Sequence, residues 1–431
     1  MNWTEEQVLA LSPDASSTKA GKGLANARKW VSYAVNEKAL WGECQGSGKN
    51  PYRTKIDLQN IAFSCSCPSR KFPCKHGLGL FLLYVNQSST FKTTEEPDWV
   101  KEWLDKRQAS EEKKKAPKKP VDEKAKAKRT EAKEKKIQEG ILELQDRLQG
   151  MIRVGLLDTV QESHFWETAR ARMVDSQATG LAAMLRSLSD INFNDDSWKS
   201  LTLKKICRIY LTTEGHKNIN SQAEDLQEEL RSLIGWPQNQ DELKLQEGIK
   251  DTYLILSKKV EQEDNLSVQS NWLYGKKTKR FALILSFAVG SQIHDVSLMP
   301  GLSIEAELVF FPGVAQYRAL VKTKGNNTEP FLAEGFKNLE EVQEAYSDLL
   351  SINPWLDRVP LILENVAPVY DKGSLYLKDS EGRFVSVEKG FPAAWELLAL
   401  SGGRPLTMAL LRKEDEFLPL GAWQNKHYII F

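Results

Sequence analysis

The chain has 431 residues, 41% hydrophobic and 27% charged, enough to bury real cores and to exclude collagenous, low-complexity and fully disordered classes. At roughly 150 residues per domain, that length suggests about two or three domains. The formal charge of +1 hides an asymmetry of +8 over residues 14–92, +7 over 101–136 and −9 over 137–431, so basic and acidic parts can bind different partners or each other.

Taken in order, Leu24, Ala27, Val31 and Ala34 recur at helical spacing and predict a short amphipathic helix. Residues 39–45 read as a strand, and Gly46, Ser47, Gly48, Asn50 and Pro51 make a dense turn signal. Residues 52–58 alternate as a second strand, Gln59 and Asn60 can turn the chain, and 61–65 begin a third. Residues 76–86 are apolar on all sides and predict a buried helix. Together, residues 1–105 read as one small module.

Residues 106–136 read as a lysine-rich linker. From 110 onward lysine, alanine and glutamate dominate, aromatics are absent, and Pro117 and Pro120 interrupt the first half. The second half, 124–136, has the composition to extend the next helix backwards. A helical region is expected over 137–250. It opens with Ile137, Ile141, Leu144, Leu148 and Met151 at steps of four and three, and two or three more helical patterns follow. Residues 251–431 read as a mixed, strand-rich domain. Strands are expected at 253–260, 267–274, 281–289 and 304–311, and a helix at 339–351. Further strands fall within 359–387 and 406–430, around a short helix near Trp395. The fold class is therefore α+β multidomain.

The chemistry concentrates in one place. Of five cysteines and five histidines, three and one fall within twelve residues, as Cys65, Cys67, Cys74 and His76. Zn²⁺ takes four tetrahedral ligands from thiolate and imidazole, and a site closed by four protein ligands is structural. Side chains at i and i+2 of a strand share a face, so Cys65 and Cys67 can grip one ion. Cys74 and His76 can close the site from the start of the following helix. A set of unrelated buried thiols would not concentrate the cysteines in this way. A disulfide across a single residue would be strained and out of place in a reducing compartment. A catalytic zinc needs an open position, which four protein ligands do not leave.

The Cys-x-Cys, six residues, Cys-x-His string resembles the SWIM zinc finger. Together with Trp41-Gly-Glu-Cys44-Gln-Gly-Ser-Gly and the Cys65 to Leu80 stretch it is similar to the bacterial SWIM zinc finger family, a likeness that spans roughly residues 11–85. The resemblance implies strands followed by a helix, with Cys65, Cys67, Cys74 and His76 on a structural zinc ion. It also implies DNA or protein binding rather than catalysis. By family association it suggests an AAA ATPase or a von Willebrand A-domain protein as partner.

Other features carry less. Arg70, Lys71 and Lys75 crowd the zinc loop and are candidate nucleic-acid contacts, although they equally offset a zinc–thiolate centre of net charge about −1. Cys44 reads as a small buried strand residue and Cys207 as helix core. The twelve tryptophans read mostly as core. Lys19, Gly21 and Lys22 fail the phosphate-loop pattern, which needs glycine where Ser16 stands. Glu162, His164 and Glu167, and the His294–Asp295 pair, are acid–histidine neighbours without a nucleophile motif, so no enzyme is expected. The longest apolar run, 77–85, is far below the ~18 residues of a membrane span. No secretory leader is legible at the N-terminus, and a cytoplasmic location is expected. The reading is a non-catalytic zinc protein that binds nucleic acid or protein.

Overall fold

The computed structural model describes the chain except residues 1, 2, 4, 10, 14, 47–49, 60, 70, 72, 116–122, 156–161, 195, 196, 264, 265, 290–296, 425 and 426. At the N-terminus, β1 (Trp30–Val35), β2 (Ala39–Cys44), β3 (Tyr52–Asp57) and β4 (Ala62–Cys65) form an antiparallel meander. The two-residue β5 (Lys92–Thr93) is added parallel to β1. Successive residues of β2 serve opposite faces. Leu40 joins Ile56 and Phe63 beneath α1 (Glu5–Leu9), α2 (Ala15–Leu24) and α3 (Lys75–Asn86), where Leu78 and Phe81 complete the core. Ala39 and Trp41 pack on the other side against Val100 and Trp99 of α4 (Asp98–Lys115).

Glycines set the approach of α2 and α3. A Cβ on Gly79 would lie 2.5 Å from the Leu24 Cβ, and one on Gly21 would lie 2.9 Å from the Leu78 Cβ. The helix expected across Leu24, Ala27, Val31 and Ala34 is not formed: α2 ends at Leu24, and Val31 and Ala34 lie in β1. The run Trp-Val-Ser-Tyr-Ala-Val suits a strand, and pairing with β2 overrides the helical spacing.

The helix that carries Ile137 to Met151 is α5 (Glu123–Val154), so the helix-forming half of the lysine-rich segment does extend it backwards. Among the described residues, four helices follow before residue 236 rather than two or three: α6 (Ser163–Asp175), α7 (Thr179–Ser189), α8 (Trp198–Lys217) and α9 (Glu224–Ile234). Ile137, Ile141, Leu144, Leu148 and Met151 are all buried, with Trp166, Leu181, Leu185, Ile206 and Ile234. At roughly 1.5–3 kcal/mol for each fully buried large aliphatic, this stripe is what makes a helix of this segment. Its basic half is tied down at two points. Lys133 lies 4.3 Å over the Trp236 ring, and Glu134 meets the buried His216 at 3.2 Å.

After α10 (Gln240–Leu245), five strands close a barrel: β6 (Ile249–Glu263), β7 (Leu266–Gly275), β8 (Phe281–Val289), β9 (Ser303–Phe310) and β10 (Arg318–Thr328). Helix α11 (Leu339–Ile352) follows, then a six-stranded sheet. Its order is β13 (Phe384–Val387), β12 (Ser374–Lys378), β11 (Val359–Asp371), β14 (Leu406–Lys413), β15 (Glu416–Gln424), β16 (His427–Ile430), with α12 (Ala394–Ser401) before β14. Barrel and sheet share a core: Leu254, Leu256 and Trp272 meet Ala409, Leu411, Trp423 and Tyr428. The Tyr428 hydroxyl donates to the Leu256 carbonyl at 3.1 Å. Helix α8 joins this part through Arg208, which donates to the Leu356 carbonyl at 3.0 Å, and through the Lys204–Glu414 ion pair at 3.1 Å.

One expectation for a single residue does not hold. Cys207 is exposed and lines a cleft of about 330 Å³ with Arg208 and Leu350, because α8 turns that side toward α11 rather than into the bundle. Trp395 is 67% exposed and stacks on Tyr370 at the sheet rim. Among the described residues no helix is long and apolar enough to cross a membrane.

Candidate metal centre

Strand β4 ends at Cys65, Cys67 lies two residues on, and Cys74 is the N-cap of α3, with His76 in its first turn. The register β3–β4 sets Thr54 opposite Cys65. The sheet edge and the helix start thus bring two pairs of ligands to one corner. The three sulfurs and the His76 ring nitrogen lie within 4.8 Å of one another. His76 Nδ1 is 3.8 Å from Cys65 Sγ and 3.9 Å from Cys74 Sγ. A tetrahedron with Zn–S of about 2.3 Å has S–S edges of about 3.8 Å, so the donor set fits Zn²⁺ in both chemistry and size. Among the described residues this is the one cluster of metal-ligating side chains.

The surroundings favour negative sulfur. The amides of Cys67, Ser69 and Gly77 hydrogen-bond to Cys65, Cys67 and Cys74 respectively, the last at the positive end of α3. Cys65 is the first to ionise: the hydrogen bond from Cys74 holds its thiol down to about 4, with help from His76 and Thr54. That bond to Cys65, together with burial, pushes Cys74 up, and burial pushes Cys67 up. Three crowded sulfurs therefore resist full ionisation by themselves, and a divalent cation removes that penalty.

Two supporting groups were not singled out in the sequence. The buried Thr54 hydroxyl lies 3.2 Å from Cys65 Sγ, and the Tyr52 ring packs at 4.9 Å on His76. Both are alternate residues of β3, so strand periodicity plus the pairing with Cys65 was the signal that could have found them. Cys44 stays outside the cluster, fully buried in the module core.

Of the candidate nucleic-acid contacts, Arg70 lies outside the described residues. Lys71 and Lys75 are exposed beside the metal corner, and Lys71 Nζ donates to Ser16 Oγ at 3.2 Å. A second cationic strip runs along β3 and α4. Lys55 Nζ lies 5.3 Å from the Trp99 ring and 5.6 Å from that of Trp103, Arg53 lies 5.6 Å from Trp99, and Arg107 lies 5.5 Å from Trp103. His164 is exposed, and the His294–Asp295 pair lies outside the described residues.

Two family models match the chain. The SWIM zinc finger matches residues 52–84, from β3 through the metal corner into α3. The SWIM-associated four-helix bundle domain matches residues 132–234, from α5 to the end of α9. Neither curated proteins nor solved structures yield a match. With the Cys₃His cluster inside one matched segment and the helical bundle filling the other, the chain carries a SWIM zinc finger with a site for structural Zn²⁺, followed by a SWIM-associated four-helix bundle.

Proposed function

We propose that the chain is a non-catalytic binding protein whose zinc-stapled module engages nucleic acid. The observation that carries this reading is the cationic surface of the module: exposed Lys71 and Lys75 at the zinc loop and, on the α4 side of the sheet, Arg53, Lys55 and Arg107 interleaved with Trp99 and Trp103. Cations supply phosphate contacts, and half-buried aromatic rings beside them are the usual companions of such surfaces. Four protein ligands leave the metal no open position for substrate, which supports a structural rather than a catalytic ion.

The test is duplex DNA binding by the full chain, followed by fluorescence anisotropy from 50 to 200 mM salt. Each phosphate neutralised contributes about −0.9 to the slope of log affinity against log salt. Reversing Arg70, Lys71 and Lys75 to glutamate should flatten that slope by about two to three. Absence of duplex binding at 50 mM salt would refute the reading.

A second reading has its own support. Arg53 pairs with Glu43 and Arg107 with Asp57, each at 3.2 Å, so part of the positive charge is compensated within the module. On that reading the chain is a protein adaptor for an AAA ATPase or von Willebrand A-type partner, and the lysines near the metal offset its thiolates.

A further inference from the structure

The barrel carries an exposed cationic segment of its own, outside the zinc module. Its strands run β6-β7-β8-β10-β9, and within that circuit only β8 and β10 pair in parallel. This is the strand order of the five-stranded Greek-key barrels that bind oligonucleotides across their second and third strands. Strand order alone names no ligand. Here, moreover, the six-stranded sheet already covers Trp272, and Tyr274 and Leu283 belong to the same shared core. What stays open is the end of the β7–β8 hairpin.

That hairpin reads Gly275-Lys276-Lys277-Thr278-Lys279-Arg280-Phe281, four cations in five exposed positions within a region of net charge −9. It is held from beneath. The Asp251 carboxylate accepts the amides of Lys277 at 3.1 Å and Thr278 at 2.8 Å, and the Thr278 hydroxyl at 2.8 Å. Its cations sit beside aromatic rings: Arg280 lies 3.8 Å over Phe310, and Lys276 lies 5.6 Å from Phe331. Besides Asp251, Glu334 reaches the hairpin and pairs with Lys279 at 3.4 Å.

We infer that this hairpin binds single-stranded nucleic acid. Lys276, Lys277 and Lys279 would take backbone phosphates, and the Arg280 guanidinium, backed by Phe310, offers a flat cationic plane for one unpaired base. Bases in a duplex do not expose the face that such a plane needs, so the fit is to a single strand.

The test uses the full zinc-loaded chain and a fluorescein-labelled 20-nucleotide oligothymidylate, read by anisotropy from 50 to 200 mM salt. K276E/K277E should weaken binding at least about tenfold at 50 mM. It should also flatten the salt slope by about 1.4, at about 0.7 per phosphate on a single strand. The neutral pair K276Q/K277Q should show a smaller loss in the same direction, which keeps the test open if reversal disturbs folding. K372E/K389E, at exposed turns of the six-stranded sheet and assigned to neither cationic surface, should leave single-strand binding within about twofold. Unchanged affinity and slope in both hairpin variants would overturn the inference, as would a wild-type chain that fails to bind the oligonucleotide at 50 mM salt.

Discussion

Replacing Thr54 by valine removes one hydroxyl from the metal corner and little else. The side chain is fully buried, its Oγ1 lies 3.2 Å from Cys65 Sγ, and valine has nearly the same shape. No water can take the place of the lost donor without a cavity to hold it. A hydrogen bond to a charged partner contributes about 1.5–3 kcal/mol, and at ~1.4 kcal/mol per tenfold this predicts zinc affinity reduced roughly ten- to a hundredfold. The sulfur that loses its donor is the one that ionises most readily and stays ionised well below neutrality, so the loss should be of similar size at pH 7.5 and pH 6.5. The assay is competition for Zn²⁺ against a chromophoric chelator at pH 7.5 and pH 6.5, with Thr54→Ser as the variant that keeps the hydroxyl. Zinc affinity of the valine variant within about twofold of the wild type at both pH values would refute the argument and leave Thr54 as a packing residue.

Cys74→Ser should abolish the single bound zinc measured by elemental analysis, whereas Cys44→Ser should retain it. Chelation should collapse amide protection in the N-terminal module while leaving that of α5 to α9 intact; loss of protection in both would show that the two fold as one unit. Gly79→Ala should destabilise the module by about 1–3 kcal/mol in denaturant melts, because overpacking against Leu24 outweighs the helix propensity gained, whereas Gly23→Ala, with nothing within 4 Å, should stabilise it by up to about 1 kcal/mol. Burial opposes ionisation of Asp251, but the bonds from Thr278, Lys277 and Thr252 prevail and hold its carboxyl below the usual range. Its stabilising contribution is therefore present above the unfolded value near ~3.9 and lost as pH falls through the lower folded value. The gap in amide protection of Lys277 and Thr278 between wild type and Asp251→Asn should be widest near neutrality and close in acid.

The metal corner was legible because its information is local. Four ligands within twelve residues, in a spacing that straddles a strand end and a helix start, need no distant contact to be read. Strands β2, β3 and β4 and the buried α3 followed from equally local alternation and turn chemistry. The segment from Leu24 to Ala34 was not legible. Its apolar residues fit a helix by spacing, but Trp30, Tyr33 and Val35 find partners in β2 and in the α3 core, a contact sequence spacing cannot show. Helix α2 was hidden for the opposite reason, since Gly21 and Gly23 lower its propensity while Gly21 admits α3. Strand β10, with Lys322, Lys324, Asn326 and Asn327, carries little strand signature and forms because closing the barrel supplies β9 on one side and β8 on the other. The exposure of Cys207 depends on α11, more than a hundred residues away.

Where the metal sits in the sheet argues for what it does. Strand β4 has four residues, ends at Cys65 and forms one edge of the module sheet. A short edge strand with unpaired backbone groups is where a small sheet frays or recruits a foreign strand. Beyond Cys65 the chain turns through Cys67 and returns at Cys74 to start α3, so an ion held by these residues ties that edge to the helix packed on the sheet face. The far edge is handled without metal, by the parallel pairing of β5 with β1. Chelation should therefore act unevenly within the module: the amides of β3 and β4 and the first turn of α3 should lose protection before those of β1 and β2, which keep the packing of α4 on Trp41. Hydrogen exchange of the whole chain at increasing chelator reads this order directly. Loss of β1 and β2 protection ahead of β4 would place the metal's contribution in the core as a whole rather than at the edge it closes.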